Sequence, residues 1–229
     1  MSVALNHRIS GQGDPLILLH GLFGSLENLG GIARRLEDGW QIHALDERNH
    51  GSSPHTDDMD YPAMAEDVIA YLDAQGIEKA SLLGHSMGGK VAMQVALEAP
   101  ERLRSLLIAD IAPVAYGHGH DDIFAAFEAV RDARPASRKE ADTVMAQHVD
   151  TPAIRQFLAT NLVRLDDGAM GWRVGLDHIA AGYPQIVEAP HGQGPIELPA
   201  LLLWGSRSNY VQAEGRATMR AHFPALADD

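Results

Sequence analysis

The apolar positions of this chain form short continuous runs, separated by stretches with helical spacing. Continuous apolar runs are typical of strands that a parallel sheet buries on both faces. Their alternation with helices predicts parallel β/α units with right-handed crossovers. The segment Val3–Ile9 is predicted to form an edge strand. The predicted buried strands are Leu16–His20, Trp40–Leu45, Ala80–Leu83, Leu103–Ala109 and Pro199–Trp204. The predicted helices of this part are Asn28–Leu36, Tyr61–Gln75, a helix that starts just after Ser86, and Gln212–His222.

The alternation stops between Tyr116 and Ala189, where the chain shows helical periodicity and no strand pattern. Three apolar stripes mark this stretch: Ile123, Phe124, Phe127 and Val130; Val144, Met145 and His148; Ile154, Phe157, Leu158 and Leu162. An insertion of this length predicts a helical cap, 116–189, over a core made of 1–115 and 190–229. We therefore expect an α/β fold, with a mostly parallel doubly wound sheet and a cap inserted after the strand that ends at Asp110.

Composition and charge exclude several classes of function. The 229 residues include 18 basic and 31 acidic side chains, a formal net charge of −13, which argues against nucleic acids and anionic membrane surfaces as partners. The absence of cysteine excludes disulfides, thiolate metal sites and a cysteine nucleophile. The chain shows neither a signal pattern nor an apolar run of membrane-spanning length. We expect a cytoplasmic monomer or homodimer that acts on a small molecule.

The strongest chemical signal is the run Gly84-His85-Ser86-Met87-Gly88-Gly89. It follows an apolar strand and precedes an apolar-periodic helix, which is the context of a nucleophile elbow. Such an elbow holds its serine on a strained turn, so that Oγ projects above the sheet edge, and crowding of strand against helix requires glycine at Gly84 and Gly88. Ser86 is therefore the predicted nucleophile, and the competing interpretation is a glycine-rich turn with a bystander serine.

Two backbone N–H groups are predicted to form an oxyanion hole. One belongs to Met87, the residue after the serine, and the other to the glycine-rich turn after the strand that ends at His20. Leu22 is the first choice in this turn and Phe23 the second. We also expect a substrate pocket with uncharged walls, formed by Phe23, Phe124 and Phe127 together with Leu22, Met87 and His85.

The acid that orients the catalytic base has two candidate positions. The turn after Trp204 contains no carboxylate, whereas Asp110 ends the strand that follows the elbow unit. Sites in open parallel sheets lie at the carboxyl ends of the strands, so Asp110 is the predicted acid. Its competing interpretation is a capping or hinge aspartate. Asp46, at another strand end, is expected to organise its own loop.

The sequence offers no evident histidine to act as the base. In this arrangement the histidine follows the last core strand, and the one histidine after Trp204, His222, belongs to a helix. His178 and His191 fall in the cap and its exit, and neither is favoured as a base. His118 and His120 are spaced like metal ligands, but without further ligands a solvated turn is the better interpretation, and no metal site is predicted.

These motifs together resemble those of the α/β-hydrolase family, and within it bacterial esterases of the YbfF type. The resemblance covers essentially the whole chain. It rests on His20–Ser25 with Asn28–Gly30, Asp46–Ser53, Gly84–Lys90, Asp110–Pro113, Ile123-Phe124 and Ser208–Val211. It implies carboxylester hydrolysis without a cofactor, a cap that shapes an acyl pocket, and an acid at the position of Asp110.

The resemblance also implies a histidine turn later in the chain. Members of the family continue past the position of Asp229 into a last strand, a Gly-His turn that carries the catalytic histidine, and a closing helix. We therefore expect either a shortened form or a form with an incomplete triad, and with it reduced stability or association with a partner. The leading hypothesis is a serine esterase for small short- to medium-chain esters. The alternatives are a catalytically impaired protein that binds a small apolar ligand, and another serine chemistry such as acyl transfer, perhydrolysis or C–C hydrolysis.

Overall fold

The computed structural model describes residues 1–192 and 194–228, and a seven-stranded sheet runs through its centre. The strands lie in the order β1-β3-β2-β4-β5-β8-β9. Only β1 is antiparallel to its neighbour, so the predicted mostly parallel sheet is confirmed. The strands are β1 His7–Ser10, β2 Asp14–Leu19, β3 Trp40–Leu45, β4 Ala80–His85, β5 Leu103–Ala109, β6 Leu162–Arg164, β7 Met170–Trp172, β8 Ala200–Leu203 and β9 Leu226–Asp228.

Helices cover both faces of the sheet, as the continuous apolar strands require. Ile17 and Leu19 of β2 belong to the large core cluster, whereas Leu16 and Leu18 belong to a smaller cluster on the opposite face. Alternate residues of this strand thus pack into two different cores, one on each face of the sheet, as expected for a strand that is buried on both sides. The helices are α1 Gly30–Leu36, α2 Tyr61–Ala74, α3 Met87–Glu98, α4 Asp121–Ala133, α5 Arg138–Met145, α6 Pro152–Leu158, α7 Leu176–Ile186 and α8 Ala213–His222.

Several predicted elements differ from the observed ones in extent. The edge strand is shorter, because β1 begins at His7 and not at Val3. The first helix is preceded by a 3₁₀ turn, Leu26–Leu29, which carries part of the predicted helix. A strand that the pattern did not indicate, β9, pairs in parallel with β8. Gln193 and Asp229, both inside the predicted core range 190–229, lie outside the described residues.

The inserted segment, residues 116–189, was expected to contain no strand, and this expectation is wrong. β6 and β7 pair antiparallel across a turn that contains Asp167 and Gly168. Leu162, which we placed in the third helical stripe, begins β6, because α6 ends at Leu158. The segment still consists mainly of helices, α4 to α7. In the described ranges no helix has the length and apolar character needed to cross a bilayer.

A fully buried ion pair ties the loop after β3 to α2. Arg48 Nε donates to Asp67 Oδ2 at 2.7 Å, and Arg48 Nη2 donates to Asp67 Oδ1 at 2.9 Å. Both side chains are 0% exposed. The remaining guanidinium N–H groups donate to the carbonyl oxygens of Asp58 and Ala63, at 2.7 and 3.0 Å. The cation is thus neutralised by a two-point contact with its counter-ion.

Candidate active site

Ser86 lies at the junction of β4 and α3 with a strained backbone. Its φ and ψ are 53° and −118°, a conformation that a residue with a side chain rarely adopts. Its N–H donates to Ala109 O of β5 at 3.0 Å, and its carbonyl accepts from the N–H groups of Gly89 and Lys90. Ser86 Oγ itself has no hydrogen-bond partner among the described residues. This is the strand–turn–helix geometry that the motif predicted.

The two glycines of the motif permit the close contacts around this turn. A Cβ at Gly84 would lie 2.2 Å from Gly88 O, and a Cβ at Gly88 would lie 2.4 Å from Leu19 O. Either contact is too short for carbon and oxygen, so no larger residue fits without a shift of the backbone. The Gly88 N–H donates to His20 O at 3.0 Å, which fixes the start of α3 against the turn after β2.

Two buried histidines shape the turn after β2. His50 Nδ1 donates to Arg48 O at 2.9 Å, and His50 Nε2 accepts the Phe23 N–H at 3.0 Å. His20 is bound in the same way, between Gly21 O and the N–H of Glu47. Burial lowers the pKa of His20 to about 4 and that of His50 to about 3, so both rings are neutral at physiological pH.

The contact with His50 distinguishes the two candidates for the second oxyanion donor. The Phe23 N–H already donates to His50 Nε2, which favours Leu22 over Phe23. By contrast, the N–H groups of Leu22 and Met87 have no acceptor within the described part of the chain. Leu22 and Met87 line a cavity together with Ser86. The turn is held from the other side by Asn161, whose Nδ2 donates to Phe23 O at 2.7 Å.

Asp110 lies directly after β5, on the strand next to that of Ser86. Its φ is 57°, its N–H donates to Leu203 O at 2.8 Å, and its Oδ1 accepts the Gly205 N–H at 3.3 Å. The carboxylate is partly exposed. Burial lowers the pKa of the nearby His85 ring, and the negative charge of Asp110 offsets only part of this shift. Ser86 and Asp110 therefore lie at the carboxyl ends of neighbouring parallel strands, as predicted.

Two cavities meet at Ser86. The smaller one, of about 70 Å³, lies between α3 and the inserted segment, and its walls include Met87, Tyr116 and Tyr183. The larger one, of about 270 Å³, extends over the turn after β2 and includes His85 and Phe157. Three residues belong to both cavities: Leu22, Ser86 and His120.

The aromatic residues predicted as pocket walls do not line either cavity. Phe23 and Phe127 are 1% and 0% exposed, and with Phe124 they form an aromatic layer behind the walls. Phe124 packs edge-on and Phe127 at a tilt against Phe23, because the apolar stripe of α4 packs onto the core. The walls that the prediction missed are tyrosines, Tyr61, Tyr116, Tyr183 and Tyr210. His85, by contrast, does line the larger cavity.

No histidine ring forms a hydrogen bond with Ser86 or Asp110 in residues 1–192 and 194–228. His178 pairs with Asp57 at 2.9 Å, and His222 accepts the Gly194 N–H at 3.2 Å; both lie away from the two cavities. His120 Nδ1 contacts the Tyr183 hydroxyl at 2.6 Å. Within the described chain, no cluster of three metal-ligating side chains exists, His118 and His120 included.

A buried lysine at the small cavity was not singled out by the sequence. Lys90, one turn after Ser86 on α3, is 1% exposed, and its Nζ donates to the carbonyl oxygens of Val187 and Glu188. The rings of Tyr61 and Tyr116 lie 5.4 and 4.7 Å from Nζ. Burial lowers the pKa of Lys90 to about 7. A lysine within an apolar helix pattern is normally predicted to lie on the surface, so its burial becomes evident only from the fold.

Comparison with known proteins agrees with this geometry. The family described as alpha/beta hydrolase fold matches residues 14–228. Esterase YbfF of Escherichia coli K12 is 43% identical over 92% of this chain and 81% of its own length. The sn-1-specific diacylglycerol lipase ABHD11 of Xenopus tropicalis is 41% identical, over 94% and 70%. A solved structure described as a marine microorganism esterase superposes with a TM-score of 0.96 at 36% identity, covering 99% of this chain and 90% of that one. The chain thus belongs to the α/β-hydrolase family, among its YbfF-type esterases.

Proposed function

We propose that this protein is a serine carboxylesterase that hydrolyses small esters with short- to medium-chain acyl groups. One observation carries the proposal. The strained Ser86 projects its free hydroxyl where two cavities meet, beside two backbone N–H groups that have no other acceptor in the described chain. The esterase and lipase names of the relatives point to the same reaction class.

The reaction proceeds through an acyl-enzyme. Ser86 Oγ forms a bond to the ester carbonyl carbon and loses its proton to a general base. No histidine of the described residues is hydrogen-bonded to Ser86 or Asp110, so the base is left unassigned, and the resemblance gives this role to a histidine that Asp110 orients. The N–H groups of Leu22 and Met87 stabilise the oxyanion, which collapses as the alcohol departs with a proton returned by the base. Water then attacks the acyl carbon and gives a proton to the same base, which passes it to Ser86 Oγ as the bond between Oγ and the acyl carbon breaks and the carboxylic acid leaves.

The two cavities suit the two halves of an ester. The small cavity of about 70 Å³ limits the acyl group, and the larger, more open cavity receives the alcohol. The inserted segment contributes Tyr116, His120 and Tyr183 to the small cavity, and we propose that it acts as a cap that excludes water. The aromatic layer formed by Phe23, Phe124 and Phe127 supports these walls from behind.

The test compares hydrolysis of a p-nitrophenyl ester series by the wild type and by Ser86→Ala. Loss of the nucleophile should reduce kcat/KM on the order of 10³-fold or more. Ser10→Ala, on the edge strand β1, is the matched control and should leave the rate unchanged. A fluorophosphonate should label wild-type Ser86 and spare the alanine variant. Equal hydrolysis by both proteins, or no labelling of the wild type, would overturn the assignment and favour a protein that only binds its ligand.

The acid and the base are tested separately. Asp110→Asn should lower kcat roughly 10²- to 10⁴-fold, because the base loses its orienting partner. His85→Ala and His120→Ala remove the two rings beside Ser86 that keep a nitrogen without a partner in the described chain. Neither ring contacts Ser86 Oγ, so we expect each to cost less than roughly tenfold in kcat. A loss as large as that of Ser86→Ala would instead identify that ring as the base.

A further inference from the structure

The small cavity beside Ser86 contains one buried cation. Lys90 and Ser86 line this cavity together, and the Lys90 N–H donates to Ser86 O at 3.2 Å, so the two side chains start one helical turn apart. Four residues of helix correspond to about 6 Å along its axis. The rest of the cavity wall is mostly apolar or phenolic. Burying a charged amine at such a place is costly unless the amine is paired and hydrogen-bonded.

The surroundings of Lys90 stabilise a cation without neutralising it. Its Nζ donates to the carbonyl oxygens of Val187 and Glu188 at the carboxyl end of α7, where the helix dipole is negative. The faces of two tyrosine rings lie within cation–π distance. No carboxylate pairs with Nζ in the described residues. An ammonium has three donors, and two of them are used here.

We propose that the small cavity binds acyl groups that end in a carboxylate, and that this carboxylate pairs with Lys90 Nζ while the ester carbonyl lies at Ser86. This rests on the proposed esterase function and names the substrate class: half-esters of short dicarboxylic acids. The choice of short acids follows from the cavity volume of about 70 Å³, and from the nucleophile and the cation lying on side chains that start one helical turn apart.

The acidic character of the whole protein does not oppose this selectivity. The net charge of −13 acts at long range, and salt screens it over about 8 Å at physiological ionic strength. Lys90 acts by contact, from a side chain that is only 1% exposed. A charge-assisted hydrogen bond in such a site is stronger than one in water. The local cation therefore decides which acyl groups bind inside the cavity.

The competing role for Lys90 is structural, as a clamp between α3 and the end of α7. A clamp would stabilise the fold and would affect charged and neutral ligands alike. A binding group would distinguish them. The decisive quantity is therefore the ratio of affinities for two ligands of the same length, and this ratio is unaffected by a general loss of stability.

Ligand binding to Ser86→Ala tests the proposal without any need for turnover. Monomethyl succinate carries the carboxylate, and dimethyl succinate is its neutral counterpart; both are titrated calorimetrically into Ser86→Ala and into Ser86→Ala with Lys90→Met. We expect the half-ester to bind at least roughly tenfold more tightly than the diester, and Lys90→Met to abolish this preference. An unchanged affinity for the diester, with a Tm no lower than that of Ser86→Ala alone, shows that the cavity of the double variant is intact.

A pH titration gives the same answer if Lys90→Met does not fold. The pKa of Lys90 is about 7, so the preference for the half-ester should fall between pH 6 and pH 9 as the amine loses its proton. The pKa of Glu47, next to Tyr61, is about 8, and its ionisation would weaken anion binding in the same direction. Glu47→Gln in the same background removes that contribution. The other titratable groups that face Lys90 are Glu188, Tyr61, Tyr116, Tyr183, Tyr210 and His120.

The outcomes separate this proposal from the esterase assignment. A preference for the half-ester that Lys90→Met and high pH both remove supports it. Equal affinity for the two ligands, a preference that survives Lys90→Met, or no binding of the half-ester overturns it. In each of those three cases fluorophosphonate labelling of wild-type Ser86 would still support the esterase. Failure of labelling, with a Lys90-dependent preference intact, would overturn the esterase and leave an acid-binding cavity.

Discussion

Arg48 and Lys90 are both fully buried cations, and they differ in how the protein treats their charge. Arg48 forms a two-point contact with Asp67 and fills its other donors with carbonyl oxygens. Lys90 has carbonyl oxygens and aromatic faces but no carboxylate. Arg48 lies in solid core beneath the loop after β3, whereas Lys90 lines the cavity that holds Ser86.

The difference separates a structural charge from a functional one. A buried charge costs several kcal/mol of solvation, and a counter-ion in good geometry offsets this. Arg48 has that counter-ion within the chain, so its site is complete. Lys90 forms no ion pair among the described residues, although the Glu188 carboxylate interacts with it electrostatically, and on our proposal an anion in the cavity completes its site. Buried cations in this protein are therefore best classified by the presence of an internal counter-ion.

The largest effect expected is on the paired cation. Asp67→Asn leaves the Arg48 guanidinium buried without its counter-ion, and we expect the free energy of unfolding to fall by about 3–5 kcal/mol. Urea denaturation at pH 7 measures it. Asp73→Asn on the same helix is the matched control, because Asp73 pairs with Arg102 at 2.8 Å while being 64% exposed. That exposed pair should contribute less than about 1 kcal/mol. Equal losses in both variants would break the distinction.

Lys90→Met should change stability in the opposite direction. The lowered pKa means that the unfolded chain binds the Lys90 proton more tightly than the folded chain does. The stability that Lys90 contributes is therefore greatest above pH 10.5 and falls, by up to about 1.4 kcal/mol per pH unit, as the pH decreases to about 7. Lys90→Met should thus gain more over the wild type at pH 7 than at pH 9.5. A difference that does not vary with pH would contradict the buried, unpaired ammonium.

Glu47→Gln tests the neutral group between these two cations, where we expect the smallest change. Glu47 interacts electrostatically with Arg48 and with Tyr61, and neither carboxyl oxygen has a partner in the described chain. Burial raises its pKa to about 8, so it contributes most stability below pH 4.5 and loses this as the pH rises through 8. Replacing one neutral group by another should cost within about 1 kcal/mol at pH 5. The variant should overtake the wild type towards pH 8.5 in paired denaturation curves.

The part of the site that follows local rules was predictable from sequence. The turn at Ser86 was predictable because it depends on neighbours in the sequence: a strand, and glycines on both sides of the serine that allow strand and helix to approach closely. Asp110 followed from the register of parallel strands, which places their carboxyl ends together. Leu22 was favoured for the same local reason.

The features that depend on distant contacts were not predictable. The Phe23 N–H is occupied by a histidine 27 positions later, which no local pattern reveals. The α4 stripe was read correctly as apolar, but its direction, towards the core and away from the cavity, is set by packing. The dipeptide Asp167-Gly168 is typical of a hairpin turn. The helical spacing of the apolar residues around it nevertheless led to a prediction without strands here. The burial of Lys90 depends on the carbonyl oxygens of Val187 and Glu188, almost 100 positions later, so the local sequence does not predict it.

The single hydrogen bond from Asn161 to Phe23 O has a consequence for engineering. It runs from the inserted segment to the turn that contains Leu22, which lines both cavities together with Ser86, and Asn161 is fully buried. Anyone who exchanges residues 116–189 for the equivalent segment of another hydrolase, to obtain a new substrate range, also removes a brace of the catalytic turn. A graft that keeps an amide side chain at this position should preserve the geometry of that turn. A graft without one should alter the rate of the reaction as well as the choice of substrate.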